Sequence, residues 1–302
     1  MSRQGGLRIE RMCQLAHVSR AGFYRSWQEH QPMEEDMDVR SAIQGIAVAH
    51  RRRYGYRRIT AELRRRGLLV NHKRVARLMR GDNLLAVQPR TFVVTTDSDH
   101  AVEVALNLAS RLTLTGMNQL WVADITYIRL RAEFVYLAVL LDAYSRKVVG
   151  RALDRTLAAR LPLAALTHAL AERHPPPGLV HHSDRGVQYA SGEYVTMLRT
   201  HHMIPSMSRP ANPYDNASCE SFMKTLKREE IYANTYRDLE HLRAHLEAFI
   251  DRYYNRDRLH SALGYRPPEE FERTMVSTNI SGGATLRFFR HAEISQPDAR
   301  KE

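Results

Sequence analysis

The sequence predicts an α/β chain in which a mixed-sheet domain follows a basic helical region, and three features carry that prediction. Residues 120–130, 134–142 and 147–153 are rich in Val, Ile, Leu and Tyr and are separated only by short breaks, the pattern of an antiparallel meander. From 158 onward, helical and strand-like segments alternate. Residues 1–96 carry 19 Lys and Arg against 8 Asp and Glu, whereas residues 97–302 carry 26 against 25, so nearly all of the formal net charge of +12 lies in the first third.

In chain order, residues 7–30 read as two short helices, with Leu7, Met12, Leu15 and Ala16 as a partial apolar face and Ser19 as N-cap of the second. Helix, turn and capped helix outline a helix-turn-helix. A second such unit spans 37–85. Val39, Ile43, Ile46 and Val48 give the inward side of its first helix, and Ile59 and Leu63 that of its second, which Gly67 ends as a C′ glycine. Asn71 caps a third helix with Val75, Leu78 and Met79 facing inward and Lys73, Arg74, Arg77 and Arg80 outward. With Arg57 and Arg58 alongside, this basic surface predicts contact with nucleic-acid phosphates; a merely solvated face is the plainer alternative. Beyond a linker at 91–117, the meander leads into a helix at 158–173, stopped by Pro175-Pro176-Pro177-Gly178. A strand at 179–182, a helix at 191–200, a strand at 204–207 and a helix at 217–231 follow. The order βββαβαβα is that of the ribonuclease H-like fold. A long helix at 238–255 comes next, and 275–302 show no strong period. The resulting division is 1–36, 37–90, 91–117, 118–232 (the ribonuclease H-like core), 233–273 (a helical extension) and a tail from 274 to 302.

Composition excludes several classes. No window approaches the roughly 18 apolar residues of a membrane span, and the N-terminus lacks an apolar signal core, so no membrane association and a cytoplasmic location are expected. Cys13 and Cys219 are the only cysteines, too few for a disulfide framework or a cysteine-rich zinc site. No Gly-rich phosphate loop or nicotinamide fingerprint is present.

Three acids stand out. Asp124 lies within the first strand, sharing a face with Val122, Thr126 and Ile128, where a carboxylate is costly unless paired or bound to metal. Asp184 follows a strand's C-terminal end, where open α/β sheets collect ligands, and Gly186 allows close backbone approach just beyond it. Glu220 opens the helix after a turn-rich loop, with Lys224 and Lys227 on the same side. Each has an ordinary reading: an Asp–Arg pair, a turn aspartate, a surface Glu–Lys pair. Together they supply the hard oxygen ligands that Mg²⁺ prefers. Asp142 is the rival acid and is assigned to a turn with Ser145 or Arg146. His181 and His182 are read as structural or facing DNA. Tyr253, Tyr254, Asn255, His260 and Tyr265 are candidates to stack on or bond to DNA, with a core role an equal alternative for the tyrosines.

The segments WVADITYI around Asp124, HHSDRGVQY around Asp184 and DNASCESFMKTLKRE around Glu220 resemble the OrfB-type transposases of bacterial insertion sequences, in the DDE superfamily with retroviral integrases. Asp184 and Glu220 are separated by 35 residues, the spacing of the D,D(35)E signature, and Lys227 matches the family's basic residue. YGYRRI (54–59), NHKRVARLM (71–79) and NRDRLHSALGYRPPEEF (255–271) extend the resemblance over about 40–273. It implies that Asp124, Asp184 and Glu220 bind two Mg²⁺ ions, with Mn²⁺ able to substitute, and catalyse DNA cleavage and transfer of a 3′-hydroxyl strand. Lys224 and Lys227 would contact DNA, and Asn216 would contact DNA or support Glu220, although helix capping explains Asn216 equally well. Implied partners are the terminal inverted repeats, target DNA, further copies of the chain and an upstream-frame OrfA-type protein or fusion, in a nucleoid-associated setting. A ribonuclease H-like nuclease that only hydrolyses and an inactive DNA-binding regulator are the alternatives. The paired cysteines of the integrase zinc module are absent.

Overall fold

The computed structural model describes residues 9–27, 34–84, 105–131, 133–208 and 216–281. The turn-rich loop before Glu220, most of the expected linker and 282–302 lie outside these. The chain divides into two compact units, 1–87 and 88–302. Among the described residues no helix is long and apolar enough to cross a membrane.

The first unit is helical. Helices α1 (Ile9–Leu15) and α2 (Arg20–Trp27) stand where the sequence puts them, but Cys13 is the buried residue of α1, while Leu15 and Ala16 are exposed. Helices α3 (Glu34–Ala49), α4 (Tyr56–Arg65) and α5 (His72–Gly81) enclose Val39, Ile43, Ile46, Ile59, Leu63, Val75, Leu78 and Met79. Val48, expected inward, is 76% exposed, and Tyr54 from the intervening turn is buried instead. The reason is angular: Ile43 and Ile46 set the inward stripe, and two further residues turn Val48 away from it. Helix α4 ends as expected. Gly67 has φ of +81°, Leu68 N–H donates to the Leu63 carbonyl at 2.9 Å and Gly67 N–H to that of Arg64 at 3.0 Å, the paired bonds of a Schellman end. Asn71 Oδ1 caps α5 by accepting from the Lys73 N–H at 2.8 Å.

The second unit is built on a five-stranded sheet of order β3-β2-β1-β4-β5. Strands β1 (Leu120–Arg129), β2 (Phe134–Asp142) and β3 (Val148–Asp154) form the antiparallel meander. Strands β4 (Val180–Ser183) and β5 (Ile204–Met207) run parallel to β1, making the sheet mixed. Alternation along β1 divides the core. Trp121 and Ala123 join Ala138, Leu140 and Val149 under α6 (Arg160–Arg173) and α7 (Gly192–Thr200). Leu120, Val122 and Ile128 join Val135, Leu137, Val139 and Leu141 under α8 (Ala217–Leu226) and α9 (Leu239–Glu247). This is the ribonuclease H-like α/β architecture that the element order predicts.

The two helices expected at 217–231 and 238–255 are each broken in type. Helix α8 passes into a π-helical turn at Lys227–Ile231, and α9 into a π-helical stretch at Ala248–Asp257. Each π turn adds a residue and shifts the register, which a 3.6-residue period cannot reveal. The shift carries Glu229 and Glu230 inside, both 2% exposed. Helix α10 (Pro268–Ser281) crosses the expected tail boundary at 273/274.

Candidate functional site

Strand pairing sets the first two acids side by side. Strand β1 pairs in parallel with β4 through Leu120↔Val180, Trp121↔His181 and Val122↔His182, so Asp124 and Asp184 emerge two residues beyond the last pair. Both carboxylates are fastened locally: Asp124 Oδ1 accepts from the Ile125 N–H at 2.9 Å, and Asp184 Oδ1 from the Gly186 N–H at 3.0 Å. A Cβ on Gly186 would stand 3.0 Å from that Asp184 oxygen and 2.9 Å from Gln188 Oε1, so either side-chain end would have to shift to admit one.

Helix α8 brings the third acid. Its first turn is docked on the backbone of β1: Asn216 Nδ2 donates to the Ala123 carbonyl at 3.1 Å, and the Cys219 thiol to that of Val122 at 3.3 Å. Arg146 Nη1 holds Ser218 Oγ at 2.6 Å. Glu220 is thereby held beside Asp124.

Electrostatics register the convergence. The Asp124 carboxyl is raised to about 7, first by burial and then by the charge of Asp184, with Glu220 adding to the rise; the Ile125 N–H and the Lys227 charge oppose it. Burial also raises Asp184, against the Gly186 N–H. Lys227 lies over the Tyr127 ring, 5.1 Å from its centroid, and burial lowers its pKa while Tyr127 and Asp124 pull it back up. Lys224 Nζ, on a largely exposed side chain, is 3.5 Å from Glu220 Oε2, so the Glu–Lys surface pair does form. Among the described residues no three His, Cys, Asp or Glu side chains already close on one point. As a donor set, three carboxylates suit a hard divalent cation.

The neighbouring candidates divide clearly. Asn216 is 8% exposed and gives no side-chain cap; it ties helix to strand, the supporting role that the sequence allowed. Asp142 is fully buried and accepts from the Asn118, Tyr144 and Ser145 N–H groups at 2.6, 3.0 and 2.9 Å, which is the turn role expected of it. His181 meets the Tyr194 hydroxyl at 2.9 Å and is lowered to about 3 by burial. His182 bridges Ser206 and Ser208 at 2.9 and 3.0 Å, so both histidines are structural. Asn255 clasps the backbone of Val148 with both amide atoms, and Tyr254 and His260 are likewise buried. In the helical unit, Arg57, Lys73 and Arg77 are exposed, Arg57 within 5.3 Å of the Tyr56 ring centroid and Arg58 within 5.7 Å of that of Tyr54. Arg74 is held by Asp36 at 2.8 Å, an α3–α5 tie that periodicity could not supply. The docking roles of Ser218 and Cys219 also escaped the sequence, because their partners are strand backbone and a distant arginine.

A mixed-sheet core of this architecture, with a basic helical unit before it in sequence, is of the integrase type. Two models described as the integrase core domain match residues 115–213 and 201–268, and an HTH-like domain matches 34–92. The chain is 36% identical over 274 residues to the transposase InsF for insertion sequence IS3A of Escherichia coli K12, covering 89% of this chain and 95% of that protein. It is 38% identical over 264 residues to an uncharacterized 31 kDa protein of insertion element IS600 from Shigella sonnei, covering 86% and 97%. A transposase for IS904 from Lactococcus lactis is 38% identical over 232 residues, covering 76% and 92%. The chain belongs to the insertion-sequence transposases. Among solved structures, a simian T-cell lymphotropic virus intasome is similar at 14% identity and a TM-score of 0.45, covering 85% of this chain and 80% of that one.

Proposed function

We propose that this chain cleaves the ends of a mobile DNA element and joins the freed 3′-hydroxyl strand to target DNA, with Asp124, Asp184 and Glu220 as the metal-binding acids. The observation that carries this reading is the parallel pairing of β1 with β4, which sets Asp124 and Asp184 side by side two residues beyond the last pair, with the first turn of α8 docked on the same strand. Two Mg²⁺ ions, replaceable by Mn²⁺, would supply the activation of the attacking oxygen and the stabilisation of the leaving one in an in-line displacement at phosphorus. The protein's part is position and charge. Strands β1 and β4 hold Asp124 and Asp184 on a rigid sheet, and α8 brings Glu220 to them. Lys227, half-buried near Asp124, and the exposed Lys224 bind phosphates of the reacting strand. In cleavage, water displaces the 3′ oxygen of the bond being cut; in joining, that 3′-hydroxyl attacks a target phosphodiester and expels another 3′ oxygen.

In this reading residues 37–90 grip DNA through Arg57, Arg58, Lys73 and Arg77, residues 118–232 carry the chemistry and 233–273 brace it. The substrates are terminal inverted repeats and target DNA. Two ends are handled together, which calls for several copies of the chain and an upstream-frame partner or fusion. The test is a joining assay in Mg²⁺ with labelled terminal-repeat DNA, comparing wild type with Asp184→Asn. Joined product should vanish in the variant while DNA binding persists. Joining that survives sinks the ligand assignment, and hydrolysis without joining in the wild type reduces the chain to a nuclease.

A further inference from the structure

Beyond its third residue, β1 runs past the last pair with β4, and its outer half carries an aromatic pair. The register Tyr127↔Tyr136 and Arg129↔Phe134 places Tyr127 and Phe134 diagonally on one face, with ring centroids 5.9 Å apart at 73°. Burial is the ordinary fate of such rings, yet Tyr127 is 41% and Phe134 49% exposed. A cation attends each: Lys227 Nζ lies 5.1 Å from the Tyr127 centroid and the exposed Arg129 guanidinium 5.8 Å from that of Phe134. Tyr127 lies three residues beyond Asp124 on β1, facing the other side of the sheet, and Lys227 acts on both.

Open rings flanked by cations match unpaired nucleotides, whose bases stack while their phosphates meet positive charge. A folded protein partner would need a continuous apolar patch, whereas these rings are interleaved with charge. We propose that Tyr127 and Phe134, with Arg129, form a stacking surface for unpaired bases of the DNA strand next to the acidic site. This rests on the proposed DNA reaction and adds to it a preference for frayed or single-stranded ends. Phosphate contacts at Lys224 and Lys227 alone would give no such preference.

The test is equilibrium binding, with EDTA present to silence cleavage, of a terminal-repeat duplex bearing a short unpaired tail. The comparison is the same duplex with abasic tail sugars. Wild type should favour the tail with bases by about tenfold. Tyr127→Ala/Phe134→Ala should bind both alike, Tyr127→Phe should keep the preference, and Arg129→Ala should weaken both DNAs together. Equal binding by wild type, or a preference that survives in the double alanine variant, overturns the surface. Cleavage in Mg²⁺, run in parallel with Asp184→Asn as control, separates the two ideas. Cleavage without base preference overturns the stacking surface alone, base preference without cleavage overturns the strand-transfer reading alone, and no DNA binding overturns both.

Discussion

Asn216 Nδ2 donates to the carbonyl of Ala123 at 3.1 Å, joining the residue that opens α8 to the one that precedes Asp124. The strand that carries one acid and the helix that carries another are thus tied near both, with the Cys219 thiol on the Val122 carbonyl as a second bond. Among the described residues the Asn216 Oδ1 is buried without a partner. Asn216→Ala therefore loses one bond but also removes an unsatisfied atom, and net stability should change by no more than about 1 kcal/mol. With only the Cys219 thiol left on β1, the first turn of α8 can drift, and a misplacement of about 1 Å is worth up to about a hundredfold in rate. Thermal unfolding and strand cleavage measured together check this. A large stability loss with undiminished turnover would remove Asn216 from the positioning role.

Gly186 bears on the same site from the other side. A methyl group there would crowd Asp184 Oδ1 and Gln188 Oε1, while the residue's backbone conformation asks nothing unusual of alanine. Gly186→Ala should keep the fold and push the Asp184 carboxylate aside, lowering cleavage by about tenfold or more. Raised Mg²⁺ should restore part of the loss, because the defect lies in holding the ion. A metal titration of activity measures it, and an unchanged Mg²⁺ requirement counts against the placement.

Asp124 lends itself to a stability test. Its pKa is about 7 in the folded chain against an ordinary 3.8, so the folded state holds the proton more tightly than the unfolded one. The metal-free protein is consequently favoured at low pH and loses stability as pH rises from about 4 through about 7. Asp124→Asn removes the ionisation, so without metal it should be the more stable protein at pH 8, by a few kcal/mol at most at about 1.4 kcal/mol per pKa unit, and its stability should vary less with pH. It should also be inactive, the exchange of stability for function that sites of concentrated charge display. Denaturant unfolding of both proteins in EDTA at pH 5 and pH 8 decides the matter; a wild type that is the more stable at pH 8 contradicts it.

How much of this was legible in the sequence depends on the range of the forces involved. Apolar alternation is local, so the strands, the mixed sheet and the inward side of α4 and α5 follow from residue order. The capping of α5 by Asn71 and the Gly67 end are local too. Asp124, Asp184 and Glu220 drew attention because a carboxylate in a strand, at a strand end or opening a helix needs a reason, and family resemblance bound them together. Contacts between distant residues were silent. Asn216 on Ala123, Asn255 on Val148 and Arg74 on Asp36 join segments whose pairing only the folded chain defines. The π turns were hidden as well, and the buried ion pair beside them joins residues far apart in sequence.

That pair is Glu229 with Arg258. Arg258 Nε and Nη2 donate to the two Glu229 oxygens at 2.9 Å each, and the residues are 2% and 3% exposed. Arg228 adds a third contact to Glu229 at 2.7 Å. Breaking a buried pair from one side leaves an uncompensated charge, and Arg258→Met should cost about 3–5 kcal/mol, toward the lower end because Arg228 remains. Removing both charges, as in Glu229→Leu/Arg258→Met, should recover much of that loss. Activity need not return with it. Without the pair, the turn at Lys227–Ile231 can relax to α-helix, rotating Lys227 away from Tyr127 and Asp124. The double variant should therefore unfold near the wild-type denaturant midpoint yet cleave DNA several-fold more slowly. If the two recover together, the pair serves stability alone and does not set the position of Lys227.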